Sequence, residues 1–393
     1  MPIKRGNLMG KMLYIDNPFQ GEKGGDKNRS KFIWQALKDQ FDVDLMIIKN
    51  YQNPDYQYQP HTGQKDLYEI TSTKPGLIKP EAILKFSTQE LKKFENLLKQ
   101  KQYEYIFIRF AAPYALADLA AKILPKAKIV FDIDMLMSRL TKLSWELKPT
   151  LRNRYFYIQN RKFIQFEKEL FNKPYLFLFT NYLEMEMAQK NSVKPNFKGK
   201  FSVLPNVMRE SNYPFPEVKK SYVLFFGTLN SAANSDAFEF LADDIYPLIE
   251  AKLKEMNITI RIVGRNKTAA IEQKANTKPQ IDLIGEVDDI DKEIAESLFT
   301  ILPIRIASGT RTRILEAANL KTAVISTTIG AEGFEFESDE IIIKDIAVEF
   351  AEEMVKLLDN PNIAKQMGEK ILQKSKEKYL DNVVAKNLIE QIK

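Results

Sequence analysis

The chain has 393 residues, 44% of them hydrophobic and 28% charged, which is more than one hydrophobic core usually organises and points to two globular domains. It has no cysteine, so disulfides, thiolate catalysis and cysteine-ligated zinc are excluded. Through Asn206 there are 34 Lys and Arg against 21 Asp and Glu, net +13, whereas the remainder has 24 against 31, net −7, an asymmetry that calls for an acidic partner of the first half.

In chain order, short β-branched and aromatic runs predict strands at residues 12–16, 44–49, 105–109, 128–132, 175–180 and 201–204. A second series follows at 222–227, 258–264, 281–285, 298–303, 323–327 and 340–343. Helix-length segments separate them, so the predicted fold class is α/β, with two doubly wound, Rossmann-like domains facing a cleft. The Pro- and Asn-rich stretch from Pro205 to Pro216 places the domain change, giving one domain over 1–206, a second over 207–378, and a final helix over 379–393 expected to pack back on the first. Residues 50–80 are polar and rich in Tyr, Gln and Pro, and read as a long loop holding the one histidine, His61. The apolar region 105–124 is interrupted by Arg109, Asp118 and Lys122, and the first sixteen residues lack a signal-peptide core, so a cytoplasmic protein is expected.

The run from Ala307 to Ala317, ASGTRTRILEA, carries the sharpest chemical signal. Ser308, Gly309 and Thr310 read as a strand-to-helix turn, which aims backbone N–H groups and the positive end of a helix dipole at one point. Arg311 and Arg313 add cationic charge there. Glu316 follows three to five residues on, roughly 4.5–7.5 Å at the helical rise, comparable to the step from a diphosphate to its ribose. A carboxylate there accepts hydrogen bonds from both ribose hydroxyls. The same spacing also describes a surface helix with an Arg313–Glu316 ion pair. Gly227, Gly264, Gly285 and the Ser308–Gly309 pair all fall at strand ends, where ligands of such sheets sit.

The segments YVLFFGTLNSAANSDAF from Tyr222, ITIRIVGRN from Ile258, IDLIGEVDDI from Ile281 and the block from Leu298 to Gly333 resemble, in order and spacing, the nucleotide-binding half of GT-B fold glycosyltransferases of the retaining family four, the glycosyl transferases group 1. The resemblance covers about 170 residues. It implies transfer of a sugar, with retention, from a UDP- or GDP-linked donor to a glycan, glycolipid or other acceptor in cell-surface polysaccharide synthesis, with no required cofactor or metal. Carried over by position, Gly227, Thr228, Arg265, Val287, Gly309, Thr310, Arg311, Arg313 and Glu316 bind the donor, and Arg311 and Arg313 also support the departing diphosphate. Gly24 and Gly25, in the loop after the first strand, allow close backbone approach to a sugar or phosphate.

Three departures stand out. Ser308 takes the place of the family's first glutamate, the stretch from Asn319 to Thr322 replaces a small-Gly-x-Pro turn, and no histidine follows the fourth strand. Asp132 and Asp134 become the acceptor-side catalytic candidates, with Asp134 favoured because Asp132 falls within the strand; both also suit a turn or helix cap. Their spacing is that of a metal-binding pair, but in the wrong domain for the donor, so no metal ligand is assigned. These departures keep two alternatives open: a non-catalytic nucleotide-sugar-binding protein and a sugar-nucleotide epimerase.

Over residues 142–173, Trp145, Tyr155, Phe156, Tyr157, Phe163 and Phe166 interleave with Arg152, Arg154, Arg161, Lys162 and Lys168. Such a segment suits an anionic membrane surface, peripheral at the inner face, and equally an ordinary helix pair with solvated cations. The chain carries no recognised nucleic-acid-binding signature, so no nucleic acid partner is expected.

Overall fold

A computed structural model describes residues 8–17, 25–51, 66–74, 80, 82–147, 149, 154–194, 196–208, 211, 213–216 and 218–393. Strands β1 (Lys11–Asp16), β2 (Asp42–Lys49), β3 (Leu67–Thr73), β4 (Lys85–Phe86), β5 (Tyr105–Arg109), β6 (Lys128–Ile133), β7 (Leu176–Phe179) and β8 (Lys200–Val203) form one sheet in the order β4-β3-β2-β1-β5-β6-β7-β8. Every neighbouring pair is parallel except β3 with β4. The central strands are buried almost throughout, as in a parallel sheet covered on both faces by crossover helices, and this is why they read as continuous apolar runs. Beneath β7 and β8 an aromatic layer stiffens the base: Phe171 meets Phe177 edge-on at 5.2 Å and Phe179 stacks on Phe201 at 5.5 Å.

The second sheet, β9 (Tyr222–Phe226), β10 (Thr259–Val263), β11 (Ile281–Gly285), β12 (Thr300–Leu302), β13 (Val324–Ser326) and β14 (Ile342–Ile343), is parallel throughout in the order β11-β10-β9-β12-β13-β14. Both sheets are doubly wound, as the alternation of strands and helices predicts. The chain divides into two compact units, Met1–Asn206 with Val384–Lys393, and Val207–Val383. In the first, the end of the helix Asp381–Ile392 is fastened to β8 by the Gln391 amide, which donates to the Val203 carbonyl at 2.9 Å.

The loop expected over 50–80 is corrected in part. Leu67–Thr73 forms β3, in parallel register with β2 from Leu45 opposite Leu67 to Lys49 opposite Thr71, and β4 closes the sheet antiparallel to it. Only Ile70 and Ser72 of β3 are buried, because it lies next to the sheet edge. Its Glu, Ser and Thr content therefore resembles a loop, although the burial alternates with the period of a strand. Residues 52–65, with His61, lie outside the described residues.

One backbone contact sets the height at which three strands of the second sheet end. A Cβ built on Gly264 would lie 1.8 Å from the Gly227 carbonyl oxygen, so only glycine lets the β10 exit pass under that of β9. The Gly227 N–H donates to Val263 at 2.9 Å, the Gly264 N–H to Gly285 at 2.7 Å and the Leu229 N–H to Arg265 at 3.0 Å, linking the three exits. Gly285 has φ of 88° but open space where a Cβ would go. Gly264→Ala must displace backbone and is expected to destabilise the protein by about 1–3 kcal/mol or more. Gly285→Ala meets only the left-handed penalty of about 1–2 kcal/mol. Urea unfolding of the two variants checks the order; a Gly264→Ala protein as stable as the parent would refute the contact.

Candidate functional site

In the second unit the strand exits gather most of the residues singled out for the donor. Gly227 has φ of 150°, and the space where a Cβ would stand is taken: it would lie 2.8 Å from Nη1 of Arg313. The Arg313 guanidinium donates to the Phe226 carbonyl and, at 2.9 Å, to Oδ1 of Asn234. Asn234 in turn donates to the Thr228 carbonyl at 2.8 Å, and its own N–H is capped by Ser231. Phe226, Thr228, Asn234 and Arg313 are thus one hydrogen-bonded unit, packed against Gly227. Sequence reading missed Asn234, since its partner is 79 residues away and Asn is ordinary in a first helical turn.

The turn Ser308 to Thr310 follows β12, with Gly309 at φ of 73°, and leads into the helix Thr312–Asn319. The N-cap residue is Arg311, which supplies no capping acceptor; its guanidinium donates back to the Ser308 carbonyl. Glu316, half-buried one turn later, accepts from Thr312 Oγ1 at 3.3 Å. Burial, reinforced by the Arg311 charge, pushes Arg313 down to about 10, so it remains a cation at neutral pH. Burial also raises Glu316, with the pull of Arg313 opposing. Two guanidinium groups and one carboxylate share this turn with the start of a helix, an arrangement that an anion stabilises. Arg265 is half-buried beside Gly264, and Val287 packs on the core two residues past Gly285 at the far side of the same row.

Asp132 and Asp134 lie in the first unit at the end of β6, in different surroundings. Asp132 is fully buried: Arg29 Nη2 donates to it at 2.6 Å, Arg29 Nε at 3.1 Å, and Arg109 Nη1 also donates. Burial alone would raise its carboxyl, but Arg29 and Arg109 hold it below the usual carboxylate range. Arg29 further donates to the Leu204 carbonyl at 2.9 Å, the Pro205 carbonyl at 3.1 Å and Oδ1 of Asn206 at 3.0 Å. Asp134, one residue past β6, keeps 11% of its side chain exposed and lies 3.7 Å from Arg29 Nε. Among the described residues no cluster of three His, Cys, Asp or Glu suits a metal ion. Gly25 begins the helix Gly25–Lys38, and Gly24 lies outside the described residues. At the end of β1, Asn17 is fully buried and its side-chain amide has no hydrogen-bond partner among the described residues, a state that costs about 1–3 kcal/mol.

Two buried glutamates hold the segment that carries Asp134. Glu184 accepts from the Leu136 N–H at 3.2 Å, and Glu167 from the Ser138 N–H at 3.0 Å and from the Ser138 hydroxyl, so carboxylates occupy the start of the helix Met137–Leu147. Beside them a cavity of about 320 Å³ opens between the β5 and β6 exits and the helix Arg154–Leu170. That helix turns Phe163 and Phe166 inward, and exposes Tyr155, Tyr157, Ile158 and Ile164 among Arg154, Arg161 and Lys168. Arg152 lies outside the described residues.

Two doubly wound units of this kind form the GT-B fold, and the chain superposes over nearly its whole length on enzymes that have it. TarM is 12% identical with a TM-score of 0.68, covering 99% of this chain and 100% of its own. HepE of Anabaena, crystallised with UDP and glucose, is 10% identical at a TM-score of 0.63, covering 98% and 99%. A glycosyltransferase from Rickettsia africae is 14% identical at 0.66, covering 98% of each chain. At these identities the likeness establishes the fold. Residues 220–360, within the second unit, match the family model of the glycosyl transferases group 1, so this unit carries a domain of that family, as its motifs imply. No curated protein matches the chain in sequence.

Burial pushes the Glu167 carboxyl up to about 7 from an ordinary 4.5, with the Ser138 hydrogen bonds opposing and Glu184 adding to the rise. The native state therefore holds a proton that the unfolded chain releases, and the associated stabilisation is full below the unfolded value and lost as pH rises through about 7. Glu167→Gln removes that titration while keeping an acceptor for Ser138. The parent should lose stability relative to this variant between about pH 5 and pH 8; a gap in melting temperature that does not change with pH would contradict the assignment.

Proposed function

We propose that this protein is a glycosyltransferase that moves a sugar from a nucleoside diphosphate donor to an acceptor with retention at the anomeric carbon. The observation that carries the proposal is the row of strand exits in which Gly227, Gly264 and Gly285 stand beside the Ser308–Thr310 turn, with Arg311 as the N-cap and Arg313 and Glu316 in the helix it begins. As the glycosidic bond breaks, negative charge builds on the diphosphate and the sugar becomes oxocarbenium-like; cations already in place lower that barrier. In this reading Arg311, Arg313 and the N–H groups of Gly309 and Thr310 take the diphosphate, and Arg265 borders it. Glu316 accepts from the ribose, and the backbone at Val287 meets the base. A UDP-linked donor is the first choice, supported by the UDP in the HepE structure and in that of an S. aureus TarM variant, with a GDP-linked donor the other option.

On the acceptor side the two aspartates separate. Asp132, closed off between Arg29 and Arg109, anchors the end of β6, whereas Asp134 sits at the cavity rim as the group that assists transfer. Asn17 offers a buried amide to a polar group of either substrate. The acceptor is a glycan or lipid-linked molecule of the cell surface, reached at the inner face of a membrane through the basic, aromatic outer face of the helix Arg154–Leu170. No described helix is long and apolar enough to cross a membrane.

Incubation with UDP- and GDP-sugars, followed by donor hydrolysis or transfer, tests the activity; donor binding without turnover would favour a non-catalytic binding protein. Glu316→Ala should weaken UDP binding by about 1–3 kcal/mol in calorimetry, as when a charged acceptor is removed. Arg311→Ala should reduce turnover more than binding if its charge acts on the leaving group. Asp134→Asn should keep UDP affinity and lose most transfer. An Asp134→Asn enzyme of full activity would remove this side chain from the mechanism.

Membrane docking has its own test. The protein should co-sediment with anionic vesicles at low salt and release as ionic strength passes the physiological value, because exposed charges are screened over about 8 Å there. A variant with Arg154, Arg161 and Lys168 changed to Glu should stay in the supernatant. Parent protein that fails to sediment at low salt would rule docking out.

A further inference from the structure

The cavity of about 320 Å³ beside Asp134 is larger than an ordinary packing defect, with room for roughly ten waters at liquid density. Its walls are Ile83, Ala112, Phe163, Phe166 and Phe171, and half-buried Phe110, Ala111, Met135 and Met137 stand nearest solvent. The walls are held from behind. Phe171 packs against Phe177 and Phe179, Phe166 meets Tyr114 edge-on at 5.1 Å, and the Arg109 guanidinium lies 4.4 Å from the Phe110 ring. Phe110 has a left-handed backbone, φ 65°, fixed by its N–H bond to the Asp132 carbonyl at 2.9 Å. The cavity is therefore built into the frame of the β5 and β6 exits.

Of the two carboxylates in its lining, Glu167 is engaged by Ser138 inside the wall, while Asp134 stands at the rim, 3.7 Å from Arg29 and with part of its side chain exposed. A sugar placed inside would bury hydroxyls against carbon with few partners, which is unfavourable, whereas a hydrocarbon loses nothing. The helix Arg154–Leu170 supplies Phe163 and Phe166 to the cavity from one face and presents Tyr155, Ile158, Arg154 and Arg161 to solvent from the other. One helix thus joins an apolar chamber to a surface suited to anionic lipid.

We propose that this cavity receives the hydrocarbon part of a lipid-linked acceptor and thereby places the acceptor's polar end at Asp134. This rests on the acceptor-side reading of Asp134. A wholly carbohydrate acceptor would leave the chamber unused, so the proposal narrows the substrate class to acceptors bearing an apolar chain or ring next to the group that is glycosylated.

Butyl, hexyl and octyl glucoside, each below its micelle concentration, are the probes, with free glucose as the control. Binding by calorimetry should strengthen along the series, up to roughly fourfold for each methylene that enters the cavity, and level off once it is full. Ala111→Phe, which fills the space, should abolish the dependence on chain length while its UDP affinity stays that of the parent. Met135→Trp is the second filling variant, used if the melting temperature shows that Ala111→Phe does not fold. Equal affinity across the series, or a dependence that survives in a folded filling variant, would overturn the inference. UDP binding in the same samples separates the two levels: parent protein that binds UDP but shows no chain-length dependence loses only the cavity proposal. Parent protein that binds octyl glucoside but no UDP loses the acceptor assignment with the donor reading.

Discussion

The second unit depends on a hydrogen atom where almost any other residue has a carbon. With a Cβ on Gly264 placed 1.8 Å from the Gly227 oxygen, the exits of β9 and β10 could not lie one against the other, and the hydrogen bonds from Gly227 to Val263 and from Gly264 to Gly285 would not form together. Arg313 depends on that arrangement, because its guanidinium reaches the Phe226 carbonyl only through the space that Gly227 leaves beside it. A buried guanidinium deprived of such acceptors is strongly unfavourable. The charge proposed to meet a diphosphate is therefore held in position by two glycines.

The first unit has a counterpart made of charge. Arg29 draws together the helix Gly25–Lys38, the end of β6 and residues 204–206, while Arg109 joins β5 to the same carboxylate. One aspartate between two arginines is a fully satisfied acceptor, and both its charge and its burial suit a structural anchor. The same network leaves Asp134, two residues on, at the rim of a cavity. Asp16 lies 4.0 Å from Arg109 and is raised by burial, against that guanidinium's pull, so the carboxylates of this cluster stand in different environments although their residue type is the same.

What was legible in the sequence follows the range of the interactions involved. Apolar runs mark the central strands because parallel strands are buried on both faces, and all twelve expected strands are present with ends shifted by two residues at most. The glycine turns were legible because backbone geometry demands that residue type wherever it occurs. β3 was not, since an edge-side strand needs few apolar residues. Arg29 was not, because its partners lie 103 and 175 to 177 residues away and nothing near it in the chain announces them. Asp132 and Asp134 could be named as a pair, with Asp134 favoured only because Asp132 falls within the strand; the arginines that close off Asp132 could not be read there. At the Ser308 departure the group that meets Arg311 is the main-chain carbonyl, which every residue type supplies.

In the turn proposed for the donor, stability and function pull against each other. Burial and the neighbouring Arg311 both act against the charge on Arg313, which is why its affinity for a proton falls to about 10, and Glu316 opposes them only in part. In the absence of an anion that repulsion counts against the folded state. In the proposed function a diphosphate bound here would reverse the sign of the local field, so the interaction that strains the free turn would become the one that holds the ligand, and binding would stabilise the fold by mass action. Preorganisation of this kind costs stability before the substrate arrives and needs no movement of charge when the leaving group departs. The helix Thr312–Asn319 bears that strain because its other face is secured in the core by Ile314, Leu315, Ala317 and Ala318.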